Sequence, residues 1–291
     1  MNLPIFKQLT YLSPSTFMEW RKCQYKNYLR KFSGIDLPKT DSGKSAALGI
    51  MFDAFIKDNI LRRRSFPQKP SIKLDVVAKN LKCPDKDEVI NDAREVAKAY
   101  IAAGMLDRIL PDRIDQEIYC IKDGVPLLGI LDGIINSIPL DWKTRGFYSK
   151  YTASPTPGYF YRVDTNKSEE TPGSVINLDD RHQDWATQFQ FYNWLLGNQY
   201  PRYMLHEVCK QKHGIVFTEH QGTLSAEFEK NLWIEVQEMW AKINLTGFEV
   251  EVNEPSPRKD ICESYGQLCE VASLCKRYQQ TLGGSDREKY L

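Results

Sequence analysis

Apolar positions recur along the 291 residues with two different periods, and the change of period organises the chain. Ser13-Pro14-Ser15 followed by TFMEWRKCQYKNYLRKF reads as a helix, opened by a capping serine with a proline in the first turn. Between about 45 and 61, Leu48, Met51, Phe52 and Phe55 form one apolar stripe, which predicts a second helix. A third spans about 85–103 and stops at Gly104. Near Ile114 the period shortens to that of strands. The stretch RIDQEIYCIKDGVPLLGILDGIINSIPLDWKTR holds β-rich runs broken at Asp123-Gly124 and Asn136-Ser137, both turn formers. A segment rich in Pro, Gly, Ser and Thr, about 147–174, predicts a long loop carrying a small hairpin or lid. Beyond it lie a helix at about 180–196 closed by Gly197, strands in RYMLHEVC and GIVFTEH, and an amphipathic helix over about 225–244. The pattern predicts an α/β chain: a small sheet flanked by helices, after a mainly helical N-terminal part.

Composition supports a globular protein, with 42% apolar and 26% charged residues. No run approaches the roughly 18 consecutive apolar residues of a membrane span. The start MNLPIFKQLTYLS lacks a basic segment followed by a continuous apolar one. A soluble, cytoplasmic protein with no membrane partner is expected. The net charge of +1 gives no support for nucleic-acid binding. Two local basic groups, Arg21, Lys22, Lys26, Arg30 and Lys31, then Arg62, Arg63 and Arg64, suit phosphates as well as solvated helix faces.

The densest chemistry lies around the second turn. With Asn136-Ser137 as a two-residue hairpin turn, Ile135 faces Ile138, and counting outward sets Asp132 opposite Asp141. Alternation along the strand places Lys143 on the same face as Asp141. Two opposed carboxylates weaken a sheet unless a cation lies between them. Mg²⁺ is commonly held by one or two carboxylates, with phosphate and water completing its shell. A D-x-K triplet also occurs incidentally on surface hairpins, and the spacing leaves both readings open. Pro139, which has no N–H to give to a ladder, implies an irregular or one-sided strand there.

Seven cysteines in an expected reducing compartment argue against a disulfide framework. Cys262, Cys269 and Cys275 fall within 14 residues of one another. Soft thiolates select zinc, copper(I) or iron–sulfur clusters, and a closed site calls for a fourth ligand. Separate buried thiols are the plain alternative. Cys83, Cys120 and Cys209 read as core or incidental. His182, His206, His213 and His220 show no metal-ligand spacing, and neither a phosphate-binding loop nor a dinucleotide motif occurs.

The order G-x-x-D, short turn, apolar, D-x-K-T, carried by Gly129, Asp132, Asp141, Lys143 and Thr144, resembles the PD-(D/E)XK nucleases. The likeness is strongest to the RecB-like branch, which includes the AddB nuclease domain, CRISPR-associated iron–sulfur exonucleases and phage recombination nucleases. LSPSTFMEWRKCQYKNYLRK looks like that branch's opening helix, with Gln24 where a proline usually follows the cysteine. WATQFQFYNWLLG resembles its Q-x-x-x-Y helix through Gln188 and Tyr192. The branch's G-x-x-H-[ED] helix is matched by Gly49 to Asp53, with Phe52 in the histidine position.

The resemblance implies a restriction-endonuclease-like core and one nuclease domain over 1–291. Its helical part would cover about 13–107, its catalytic core about 112–220, and its C-terminal helix and cysteine segment about 224–291. It implies Mg²⁺ or Mn²⁺ bound by Asp132 and Asp141, with Asp53 as a further acidic group, and catalysis by Asp132, Asp141, Lys143 and Gln188. Phe52 is read as core, which leaves the number of metals open. Tyr192 would support Gln188 or touch DNA. Cys23 would join Cys262, Cys269 and Cys275 around a [4Fe–4S] cluster, with zinc as the alternative. The implied substrate is DNA, at ends or as single strands, in recombination, repair or phage DNA metabolism, with a possible helicase or recombination partner. A non-catalytic DNA-binding iron–sulfur subunit and a CRISPR-adaptation nuclease are the rival readings.

Overall fold

Residues 1–37, 43–64, 72–167, 169–174, 177–245, 248–254, Cys262, Cys269 and 271–275 are described by a computed structural model. The chain folds as two compact units. The first gathers residues 1–40, 119–128 and 229–291; the second holds 41–118 and 129–228.

In the first unit the expected opening helix is two helices. Ser13 caps α1 (Pro14–Lys22), its hydroxyl accepting from the Thr16 N–H at 3.2 Å. The chain then turns extended at Cys23 (φ −158°, ψ 102°). Cys23 closes α1 and also caps α2 (Gln24–Lys31), its sulfur accepting from the Lys26 N–H at 3.4 Å. Buried Asn27 ties the pair by donating to the Thr16 carbonyl and to Glu19, both at 3.1 Å. A helical period continues across Cys23, so hydrophobic spacing could not reveal the break. Strand β1 (Asn2–Pro4) pairs antiparallel with β9 (Glu249–Glu251). Arg21 pairs with Glu235 at 3.0 Å and Arg30 pairs with Glu19, so part of the early basic group is spent on ion pairs.

The second unit carries the long helices the periodicity predicts, α3 (Lys44–Arg63) and α5 (Lys86–Ala102). Between them, α4 (Leu74–Asn80) buries no residue and so left no stripe to read. A short α6 (Met105–Arg108) follows. Leu48, Met51 and Phe52 of α3 pack with Val96 and Tyr100 of α5 in one core that also takes Leu140, Trp142, Val208 and Phe217 from the sheet. Phe52 sits edge-on to Tyr100 at 5.6 Å, as a core residue.

The sheet has seven strands: β2 (Arg113–Lys122), β3 (Val125–Ile135), β4 (Ile138–Arg145), β5 (Tyr161–Asp164), β6 (Glu169–Pro172), β7 (Arg202–Gln211) and β8 (Gly214–Thr223). Their spatial order is β2-β3-β4-β7-β8-β5-β6. It is larger than expected because the Pro- and Gly-rich segment contributes the β5–β6 hairpin, which extends the edge at β8. Pairing of β4 with β7 is parallel while its neighbours run antiparallel, so the sheet is mixed, compatible with a restriction-endonuclease-like core. The expected helix at 180–196 is split at His182 into α7 (Leu178–Arg181) and α8 (Gln183–Leu196). The last long helix is α9 (Ala226–Leu245).

The predicted register holds. Asn136 and Ser137 both take positive φ, 47° and 65°, the geometry of a tight hairpin turn. Ile135 faces Ile138, and Ile134↔Pro139 and Gly133↔Leu140 follow. Pro139 is accommodated because β4 begins to pair with β7 only at Leu140↔Met204.

Adjacent residues of β7 send polar groups to opposite faces. On one face Trp142 Nε1 donates to the Tyr100 hydroxyl at 3.0 Å, which donates to His206 Nδ1 at 2.5 Å; His206 Nε2 then meets Glu219 at 3.1 Å. Burial holds the His206 pKa down and its imidazole neutral, as this donor order requires. On the other face fully buried Glu207 accepts from Arg145 at 2.9 Å, the Thr156 N–H at 3.0 Å and His220 at 3.2 Å. Burial alone would raise the Glu207 pKa, but His220, the Thr156 N–H and Arg145 outweigh it and bring it to about 2. A depressed carboxyl contributes stability that is complete above its unfolded value of 4.5 and is lost as pH falls through about 2. Glu207→Gln is therefore expected to lower unfolding free energy at pH 7 by roughly 3 kcal/mol. It should also flatten the decline in stability between pH 4.5 and 2, read from urea melts across that range.

Candidate active site

Glycines let helices of the second unit come close to the strands that carry the site. A Cβ on Gly129 of β3 would stand 2.6 Å from the Leu195 side chain of α8, and one on Gly49 of α3 would stand 3.0 Å from Thr144 Oγ1 of β4. Both glycines belong to the motifs singled out in the sequence, and both are explained by close approach.

The structure brings Asp132, Asp141, Lys143, Gln188 and Tyr192 together. Asp132 lies one residue outward from Gly133 and Asp141 one residue outward from Leu140, the outermost pair of the hairpin ladder. Their carboxyl groups lie side by side, near enough for each to shift the other's pKa. Asp141 is 1% exposed, and neither of its oxygens receives a hydrogen bond from a protein donor, although the Lys143 ammonium is in ion-pair contact with it. Burial pushes the Asp141 pKa well above the usual carboxylate range, opposed by Lys143 and reinforced by Asp132. Burial works against ionised Asp132, but the neighbouring Asp141 carboxyl and the Lys57 charge bring its pKa below the ordinary value.

Lys143 Nζ donates to Gln188 Oε1 at 3.0 Å, and Gln188 Nε2 donates to the Tyr192 hydroxyl oxygen at 2.6 Å. Gln188 and Tyr192, four apart on α8, act as one relay that orients the lysine. Tyr192 is 5% exposed, which suits support of Gln188 better than contact with a substrate.

Asp53 of α3 joins the cluster by way of two residues that sequence reasoning missed, Lys57 and Asp115. Lys57 Nζ contacts Asp53 Oδ2 at 2.7 Å, Asp115 Oδ1 at 2.7 Å and Asp132 Oδ1 at 2.8 Å. The second oxygen of Asp53 is buried without a hydrogen-bond partner. Burial pushes the Asp53 pKa up to about 7, with Lys57 opposing and Asp132 and Asp115 adding to the rise. Burial works against the Lys57 charge, but the three carboxylates outweigh it and hold the ammonium above the ordinary lysine range. The Asp53–Lys57 spacing of four on a helix was a usable signal, since it places a charged pair on one face. Asp115 had none: it owes its aim to a left-handed backbone (φ 44°) inside β2.

Oxygen donors of Asp53, Asp115 and Asp132 lie mutually within 4.8 Å. Both oxygens of Asp141 and one of Asp53 are buried without a hydrogen bond, and they fit a hard cation better than they fit an empty polar cavity. Beyond Lys143 on the same strand face, Arg145 is held by Glu207 and lies 5.9 Å from the Trp185 ring, which stacks on His182 at 4.2 Å. Arg62, Arg63 and Arg64 pair with Asp58, Asp107 and Asp112.

A carboxyl whose folded pKa is raised costs stability once pH exceeds its unfolded value, because unfolding then releases its proton. Asp141→Asn is accordingly expected to stabilise metal-free protein at pH 7.5 by about 1–2 kcal/mol and to abolish stabilisation by Mg²⁺. Calorimetric melts with chelator and with Mg²⁺ check both signs; a less stable metal-free variant would contradict the burial argument.

No protein-family model and no curated protein matches the chain. Among solved structures the chain is similar to one from Eubacterium rectale named "Putative exonuclease", with a TM-score of 0.49 and 12% identity, covering 80% of this chain and 79% of that one.

Proposed function

We propose that this chain is a divalent-metal-dependent deoxyribonuclease of the PD-(D/E)XK type, cutting phosphodiester bonds at DNA ends or in single strands. The observation that carries the reading is the pair Asp132 and Asp141, side by side with the Asp141 oxygens buried, ion-paired with Lys143 and without a hydrogen bond. Asp132 and Asp141 would hold Mg²⁺ or Mn²⁺, with the free oxygen of Asp53 as a third donor. Such an ion supplies charge stabilisation at the phosphate and a more acidic water. Lys143, oriented by Gln188, stands where it can align that water and offset charge developing on the phosphate. Tyr192 positions Gln188. Arg145, anchored on buried Glu207, is placed to bind a neighbouring phosphate of the strand. Work in recombination, repair or phage DNA metabolism, with a helicase or recombination protein as partner, follows from the family likeness.

The test is cleavage of labelled linear, circular and single-stranded DNA with Mg²⁺ or Mn²⁺. Lys143→Ala is expected to lose on the order of 10²–10³ in rate. Wild type that cuts nothing with either metal, or a variant that cuts as well, would sink the assignment.

The cysteines belong to the same proposal. Cys23 lies within electrostatic range of Cys262, Cys269 and Cys275, all in the first unit. Burial first, then each of these three thiols, pushes the Cys23 pKa up, against the Lys26 N–H. Thiols this near one another would repel as thiolates unless a metal group took up their charge, and the soft donor set would fit a [4Fe–4S] cluster. Tyr25 reaches the same segment, its hydroxyl donating to the Leu274 carbonyl at 3.3 Å. Protein purified without oxygen should be brown and contain iron and sulfide. Colourless protein holding only zinc would overturn the cluster.

A further inference from the structure

Lys57 is 4% exposed on its side chain, and its ammonium meets three carboxylates, Asp53, Asp115 and Asp132, at 2.7–2.8 Å. An ammonium has three donors, so each carboxylate takes one and none is left for substrate. The arrangement is that of a cation in a ligand shell rather than a surface ion pair. The acceptor residues come from three elements, α3, β2 and β3, and Asp115 adopts a left-handed backbone (φ 44°) to take part. Such a conformation in a non-glycine strand residue persists only where its surroundings enforce it.

Asp132 is common to two cation positions. One of its oxygens accepts from Lys57, and its carboxyl group also lies beside Asp141, whose buried oxygens make an ion pair with Lys143 and no hydrogen bond. In two-metal phosphodiesterases a shared carboxylate lies between ions about 3.5–4 Å apart. Here the side of Asp132 facing α3 is already filled by a charge that cannot dissociate from the chain.

We infer that Lys57 is a tethered cation occupying the second cation position, so that the active site takes one divalent metal per chain, on the Asp132–Asp141 side. Lys57 is a positioning residue: it fixes Asp132 for the metal and neutralises Asp53 and Asp115, leaving Lys143 as the lysine that faces the reacting phosphate. The inference rests on the nuclease reading of Asp132 and Asp141, and its test separates the two.

The experiment is Mn²⁺ binding by calorimetry, with electron paramagnetic resonance of the loaded protein, on full-length wild type, Lys57→Met and Lys57→Arg. Wild type is expected to bind one Mn²⁺ at the site and to give the spectrum of an isolated ion. Lys57→Met, which takes the ammonium away from three carboxylates, is expected to melt well below wild type in chelator. It should then bind two Mn²⁺, give the spectrum of a coupled pair, and regain its stability as Mn²⁺ is added. Lys57→Arg, which keeps the charge, should bind one. Wild type with two coupled ions would overturn the tethered cation while leaving the nuclease reading standing, and this measurement does not depend on any variant folding. A Lys57→Met protein that still binds one ion would overturn it too. Wild type that binds no Mn²⁺ would remove the metal site and the inference with it.

Discussion

Four acidic side chains, Asp53, Asp115, Asp132 and Asp141, converge in the second unit, and the Lys57 ammonium is the interaction that makes their convergence tolerable. Two like charges about 4 Å apart repel by about 4 kcal/mol at the effective dielectric of a protein near its surface. Three carboxylates held within 4.8 Å would cost roughly 10 kcal/mol, comparable to a domain's whole margin of stability. One buried cation with three directed hydrogen bonds turns that cost into a junction between α3, β2 and β3. Asp141 lies outside that junction, its buried oxygens in ion-pair contact with Lys143 but without a hydrogen bond.

The residues around that point are arranged so that little can shift. Lys143 is tied to Gln188, and Gln188 to Tyr192, along one face of α8. Helix α8 reaches the sheet because Gly129 has no side chain, and α3 reaches it because Gly49 has none. Beneath β4, Trp142, Tyr100, His206 and Glu219 form a buried hydrogen-bonded line, while Glu207 anchors Arg145 on the site's own face. Fully satisfied buried polar networks of this kind specify one register of the sheet. A single misplaced residue would strand several buried groups at once.

Much of this was legible in the chain itself. The Asn136-Ser137 turn fixes the pairing of β3 with β4 by local backbone preference, so the opposition of Asp132 and Asp141 could be counted out residue by residue. The apolar stripes of α3 and α5 and the core role of Phe52 followed from helical spacing in the same way. Where elements were misread, the cause was local chemistry that periodicity ignores. Cys23 breaks a helix that hydrophobic spacing carries straight through, His182 does the same before α8, and α4 buries nothing that would mark it.

Alternation and turn chemistry act between neighbours in sequence, so the amino-acid sequence alone determined the hairpin, the shared face of Asp141 and Lys143, and the Gln188–Tyr192 pair. Only the tertiary structure decided what surrounds them. Lys57 reads in sequence as one more helix charge, and Asp115 as a polar position on a strand. Lys57 meets Asp132 because helix packing brings together residues 75 positions apart along the chain. The same holds for Glu207 with Arg145, separated by 62 positions, and for Tyr100 with His206, separated by 106. Contacts at that range are set by which apolar faces bury against one another, and no local pattern encodes which charges that burial will bring together.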